Sequence, residues 1–236
     1  MIAFIKYGEI SSEGSLESLI RNFGSEVKSF DLSSGQSLPD VADCQGVVYL
    51  GQSIDPFLIQ TDSFFDSQKK FIRQVIEEDV PYLGLSFGAQ ILAGCQNKTT
   101  ICNKKVSGLG WNMFFLTEAA ATDSLLNKFR NKFEVFENNE YCLTLPEGAV
   151  SLVTDKAGES KGFRLGDLAW AFACRFDIFS KYLKELYASS RSSKAGDGFL
   201  YHYFTLQDLY LKQARIMASN FSDIVFQHQS NQKIVR

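Results

Sequence analysis

At 236 residues, 45% of them hydrophobic, the chain is long enough to bury a sizeable core, and with no linker or internal repeat residues 1–236 read as one α/β domain. A formal net charge of −3, with acidic and basic residues mixed along the chain, leaves no basic stripe to neutralise a phosphate backbone, so nucleic acid is not expected as a partner. No apolar run approaches the ~20 residues that a membrane-spanning helix needs, and the opening MIAFIKYG has neither the charged start nor the cleavage site of a signal peptide, so the expectation is a cytoplasmic protein with no membrane partner.

The first half alternates short apolar runs with amphipathic ones, the pattern of βαβ units with parallel strands. Met1–Lys6 reads as a strand. Leu16, Leu19, Ile20 and Phe23 then fall at helical spacing between a Ser15 cap and Gly24. Glu26–Phe30 is a weaker strand, and Gly46–Gly51 (GVVYLG) is a continuous apolar run of the kind buried on both faces of a parallel sheet. Ser63–Glu78 carries apolar residues at near-helical spacing, after which Pro81 forces the chain into a strand over Tyr82–Ser86. Gly88–Gly94 is the next expected helix. From Ile101 the pattern becomes strands separated by turns: Gly110–Leu116, Phe133–Phe136, Ala149–Thr154, Lys161–Leu165 and Leu168–Arg175, an antiparallel or mixed extension of the sheet. Helical patterning returns over Asp177–Ala188 and Leu206–Phe221, with the polar stretch Arg191–Gly198 between them.

The sharpest local feature is Gly84-Leu85-Ser86-Phe87-Gly88 with Gln90 following, set between an apolar strand and a helix. Glycines on either side of a central residue permit a tight turn that projects its side chain from the sheet edge. The positive end of the following helix faces that residue and favours an anion or a developing oxyanion. The match to G-x-S-x-G admits two readings, a serine nucleophile or a serine capping the helix.

Around this segment the chain resembles the class I glutamine amidotransferases, especially stand-alone proteins related to the glutaminase domain of GMP synthetase. GVVYLGQS at Gly46–Ser53 is similar to the family's V-x-x-L-G-G-P strand, and PYLGLSFGAQILA at Pro81–Ala93 to its P-x-L-G-x-C-x-G-x-Q-x-L-A site. GLGWNMFFLTEAAATDSLL at Gly108–Leu126 resembles G-W-x-x-x-x-L-T. FEVFENNEYCLTLPEGAVSLVTD at Phe133–Asp155 resembles V-F-x-x-H-x-D-x-F-x-L-P-x-G-A, and DLAWAFACRFDI at Asp167–Ile178 lies where G-x-Q-F-H-P-E belongs. The resemblance implies a flavodoxin-like, mostly parallel sheet flanked by helices and carrying an antiparallel strand extension.

It also implies a catalytic triad whose positions are held here by Ser86 (nucleophile), Arg175 (base) and Asp177 (orienting acid). Only the acid keeps its chemical type. A serine needs an adjacent base before it can attack, and a guanidinium with a pKa above about 12 cannot be one. The expectation is therefore a degenerate triad in a protein that does not hydrolyse glutamine. Gln52 and Ser53 replace the second glycine and the proline of the oxyanion region. Gly51, the backbone N–H groups of Gln52 and Phe87, and the side chain of Gln90 are the residues expected to line a surviving ligand cleft. Arg175 and Asp177, two apart on a strand, share a face and form either a structural ion pair or a receptor for a carboxylate or phosphate.

Five cysteines, Cys44, Cys95, Cys102, Cys142 and Cys174, lack CxxC spacing, and their odd number suggests reduced structural thiols. The only histidines, His202 and His228, are not at ligand spacing with a cysteine; neither a metal nor a cofactor is expected. His202, Trp111 and Trp170 read as packing residues, Cys174 as core on the face away from Arg175, and His228 as part of a polar tail. Two functions compete. One is a non-catalytic amidotransferase-like protein that binds a small anionic or amino-acid-like ligand, a protein partner or its own copy. The other is an enzyme: a serine hydrolase pairing Ser86 with Asp177 or Asp167 and with His202 or His228, or a residual or altered amidotransferase.

Overall fold

A computed structural model describes residues 1–7, 15–51, 56–96, 105–176 and 196–235. Strands β1 (Ile2–Lys6), β2 (Val27–Asp31), β3 (Gly46–Gly51), β4 (Tyr82–Ser86), β5 (Lys105–Leu116), β6 (Lys132–Tyr141), β7 (Val150–Thr154), β8 (Ser160–Leu165) and β9 (Ala169–Phe172) form one nine-stranded sheet, ordered β2-β1-β3-β4-β9-β8-β7-β5-β6. The β2-β1-β3-β4-β9 half is parallel, and every pair from β9 to β6 is antiparallel. Every residue of β3 and β4 is buried, which is why their sequences are apolar runs, broken only by Ser86 at the end of β4. An antiparallel bridge between Phe136 and Arg175 brings β6, last in the order, back against the chain leaving β9, so the antiparallel half curls on itself.

The helices cover the two faces. On one, α1 (Leu16–Asn22) and α5 (Gly196–Val235) pack over a core of Phe4, Val48, Leu83, Trp170 and Phe172. Ser15 caps α1, its Oγ accepting from Ser18 N at 3.1 Å, and Gly24 closes the turn at φ 86°. On the other face, α2 (Pro56–Thr61), α3 (Asp66–Glu77) and α4 (Phe87–Gly94) cover Ala3, Val47, Tyr49, Tyr82 and Phe163. This is the α/β architecture expected, and its strands agree with those read from the sequence to within a few residues, apart from the longer ends of β5 and β6.

Three expectations need correcting. The last helix begins at Gly196, inside the stretch read as a connector, and runs 40 residues to Val235 rather than stopping at Phe221. Its apolar stripe is densest at Ala214, Met217, Ala218, Phe221 and Val225; outside it Tyr201, Phe204 and Phe226 are exposed, so the pattern there does not mark a buried face. His228 is therefore part of a helix, not a tail, with Nε2 2.9 Å from Gln232 Nε2. Cys44, Cys95 and Cys174 are free and buried as expected, but Cys142 is disulfide-bonded. The expected helix over Asp177–Ala188 lies outside the described residues. Among the described residues, no helix is long and apolar enough to cross a membrane.

Candidate functional site

In a parallel sheet the carboxyl ends of the strands open onto a common edge where ligands bind. Here that edge carries Gly51 at the end of β3 and, directly beside it in register, Ser86 at the end of β4. Ser86 has φ 55° and ψ −109°, a left-handed conformation that side chains resist, and its side chain makes no capping hydrogen bond to α4. The reading of Ser86 as an ordinary helix cap is thus not met. The residue occupies the N-cap position without a side-chain hydrogen bond to the helix's N–H groups.

The surrounding glycines explain how so tight a turn is possible. A Cβ on Gly88 would stand 2.0 Å from the Tyr49 carbonyl oxygen, and one on Gly84 2.5 Å from that of Gly88. Helix α4 thus rests directly on the backbone of β3 and β4, further pinned by the Tyr82 hydroxyl, which donates to the Gly88 carbonyl at 2.8 Å. Gly51 fits against the Phe87 ring, where a Cβ would come within 2.8 Å. Phe87 itself is fully buried, its ring 5.7 Å from that of Tyr7, 6.0 Å from that of Tyr49 and 5.8 Å from that of Phe65. What it can offer a ligand is its backbone N–H, one of those at a helix start that lack an intrahelical acceptor.

One turn into α4, Gln90 is only 7% exposed, and its Oε1 has no hydrogen-bond partner among the described residues. A buried amide oxygen without a donor is costly, on the order of 1–3 kcal/mol. Arg175 is half-buried beyond the end of β9. Its neighbours Cys174 and Phe176 belong to the α1/α5 core, so by alternation Arg175 projects to the opposite side of the sheet. Burial pushes the Cys174 thiol well up, with the nearby Glu137 charge adding to the shift, which makes it an inert core group. Gln52 and Asp177 lie outside the described residues, so the Arg175–Asp177 pair is not seen.

Other residues are not brought to this edge. Asp167 sits in the turn before β9, fully exposed and paired with Arg164. Because β9 runs parallel to β4, that turn is at the amino edge of the sheet, opposite Ser86, and Asp167 cannot serve it. His202 is held on α5, with Nε2 3.0 Å from Glu134 Oε1 and its ring 5.2 Å from that of Trp111. Trp170 is fully buried; Trp111 is only partly so. Among the described residues, no group of three or more His, Cys, Asp or Glu side chains could hold a metal ion.

Two polar clusters escaped the sequence reading. Asp123 accepts from Trp170 Nε1 at 3.0 Å, Arg164 Nε at 3.0 Å and the backbone N–H groups of Leu125 and Leu126. Glu137 is buried, its Oε2 accepting from Asn112 Nδ2 at 2.8 Å and its Oε1 from Lys161 Nζ at 3.3 Å. Burial raises its carboxyl pKa, opposed by the Lys161 ammonium. Both clusters join residues far apart in the chain, and no local pattern marks them.

An α/β domain whose parallel strands end in a strained strand-to-helix turn, extended by a curled antiparallel half, narrows the class of protein considerably. The family model for glutamine amidotransferase class-I matches residues 17–176, and the chain belongs to that family. No curated protein is significantly similar in sequence. Among solved structures, a glutamine amidotransferase from Thermotoga maritima superposes with a TM-score of 0.81 at 18% identity, covering 94% of this chain and 97% of its own. One from Methylobacillus flagellatus gives 0.78 at 17% identity, over 93% of each chain. A proposed GMP synthase subunit from Thermoplasma acidophilum gives 0.62 at 13% identity, over 99% of this chain and 98% of its own. At such identities the likeness establishes the fold.

Proposed function

We propose that this chain is a family member without glutaminase chemistry, acting by binding a small anionic or amino-acid-like ligand in a cleft at the strand ends formed by Gly51, Ser86, Phe87, Gln90 and Arg175; the expected contribution of Gln52 falls outside the described residues. The observation that carries this reading is Ser86, held in the strained turn at the position where the family motif has cysteine, with Arg175 at the position of the base. A serine hydroxyl attacks an amide only when a neighbouring base takes its proton, and a guanidinium stays protonated. The same groups suit binding. The start of α4 and the Arg175 fork both favour a carboxylate or phosphate. The unpartnered Gln90 Oε1 is an acceptor for an N–H of the ligand. That buried acceptor favours a small ligand over a protein partner or a second copy as the occupant.

The strained turn also suits a serine hydrolase elbow, but the proposed partners of Ser86 argue against that use. Asp167 is on the opposite sheet edge, His202 is engaged by Glu134 and Trp111, and His228 lies beside Gln232 on α5. The test is direct. Purified protein incubated with glutamine should release no glutamate above background, and a fluorophosphonate probe should not label Ser86. Its melting temperature should rise more with sulfate than with chloride at equal ionic strength, and Arg175→Met should remove that preference. Glutamate release abolished by Ser86→Ala would overturn the reading.

A further inference from the structure

Arg175 stands at one end of a row of side chains that crosses three segments. Trp111 on β5 lies directly opposite Phe136 on β6, and Phe136 bridges in antiparallel fashion to Arg175. Residues opposed in this way project from the same side of a sheet, so the three form a continuous cross-strand row. The Trp111 and Phe136 rings meet edge to face, 5.0 Å apart at 70°. At its outer end the row meets α5, where Trp111 stacks on Tyr210 at 4.4 Å and 10°, next to His202.

The two halves of α5 are held differently. From Ala214 to Val225 the helix is anchored mainly by an apolar face, with Val225 close against Gly46, and by buried Asn220, whose Nδ2 donates to the Leu125 carbonyl at 2.9 Å. The Trp111 seam before it joins aromatic rings to the Glu134 carboxylate. Glu134 Oε1 is 3.0 Å from His202 Nε2, and the same carboxylate interacts with the buried Tyr210 hydroxyl. Burial, and after it the Glu134 charge, raises the pKa of that hydroxyl. With Tyr201 and Phe204 exposed, this half of α5 has fewer buried apolar contacts than the second, and such segments open at lower free energy.

We infer that Trp111 is a positioning residue for Arg175, transmitting the docking of the first half of α5 through Phe136 to the backbone that carries the guanidinium. The row itself stands without any ligand; only its consequence for binding rests on the function proposed above. The arrangement makes α5 a structural input to the site.

Hydrogen exchange on the full chain separates the two claims. Trp111→Ala should speed exchange in the peptides spanning Phe136 and Arg175 by roughly tenfold, which corresponds to about 1.4 kcal/mol of lost aromatic contact. Trp111→Phe, which keeps a ring in the row, should restore most of the protection. Exchange in β1 and β3 should stay unchanged in both variants. Trp170→Phe, which touches the Asp123 cluster instead, should lower the melting temperature without the local effect at Arg175. Unchanged exchange at Arg175 in Trp111→Ala, or a rise shared equally by β1 and β3, overturns the coupling. The sulfate preference should be lost in Trp111→Ala and kept in Trp111→Phe. If Arg175→Met removes that preference while Trp111→Ala keeps it, the coupling is wrong and the ligand reading stands. If Arg175→Met keeps the preference, the ligand reading is wrong and the exchange result alone decides the coupling.

Discussion

The backbone of Ser86 offers a test in which the usual effect of glycine is reversed. At an ordinary position, replacing alanine by glycine loosens the unfolded chain and lowers stability by about 0.5–1 kcal/mol. At φ 55° and ψ −109° the Cβ itself is the liability. A residue held in such a region costs about 1–3 kcal/mol, which glycine relieves. Subtracting the entropic loss leaves Ser86→Gly more stable than Ser86→Ala by about 1 kcal/mol. Comparing these two variants removes the serine hydroxyl from both sides, so hydrogen bonding does not enter. Urea denaturation followed by tryptophan fluorescence gives the difference as a shift in midpoint at constant slope. In a scanning melt the same difference is about 2–4 °C for a domain of this size. If Ser86→Gly proves less stable than Ser86→Ala by about 0.5 kcal/mol or more, on the scale of an ordinary position, the turn is not strained.

Two further substitutions probe the buried polar clusters. Asp123→Ala strands the Trp170 indole N–H in the core, removes two backbone caps and leaves Arg164 to its exposed partner Asp167; the expected loss is about 3–5 kcal/mol in urea unfolding, and a loss under about 1 kcal/mol would refute the role given to Asp123. Glu137 has a raised pKa in the folded state, so its contribution is most favourable below the ordinary carboxylate range and is lost as pH rises through the folded value. The stability of the wild type relative to Glu137→Gln should therefore fall as pH is raised from about 4, and a difference that grows with pH would reverse the assignment.

Much of the parallel half was legible because each element there has a local cause. Strands β3 and β4 are apolar runs, Ser15 and Gly24 bracket α1, and Pro81 ends the preceding helical pattern. The ends of β5 and β6 were not legible. These strands extend to Lys105 and Tyr141, beyond the Gly110–Leu116 and Phe133–Phe136 cores, because a paired hairpin needs no apolar residue to continue its ladder. The site divides in the same way. The glycines around Ser86 announce a tight turn, whereas the Trp111–Phe136–Arg175 row depends on a register that joins residues far apart in sequence. Asp123 likewise reads as a turn residue until β8 and β9 bring Arg164 and Trp170 to it.

The persistence of the G-x-S-x-G pattern needs a physical reason if the chemistry is gone, and the packing of α4 supplies one. With a Cβ on Gly88 only 2.0 Å from the Tyr49 carbonyl oxygen and one on Gly84 only 2.5 Å from the Gly88 carbonyl oxygen, no side chain fits at either position unless the helix moves off the sheet. Phe87, Ala89, Ile91 and Leu92 are all fully buried, so that displacement would open the core beneath the whole helix. The glycines are therefore required by the fold whatever Ser86 does, and they carry no information about catalysis. The strained backbone and the unpartnered oxygen of Gln90 are different, because both cost stability. Those two features are what make the cleft, rather than the motif, the ground for a binding function.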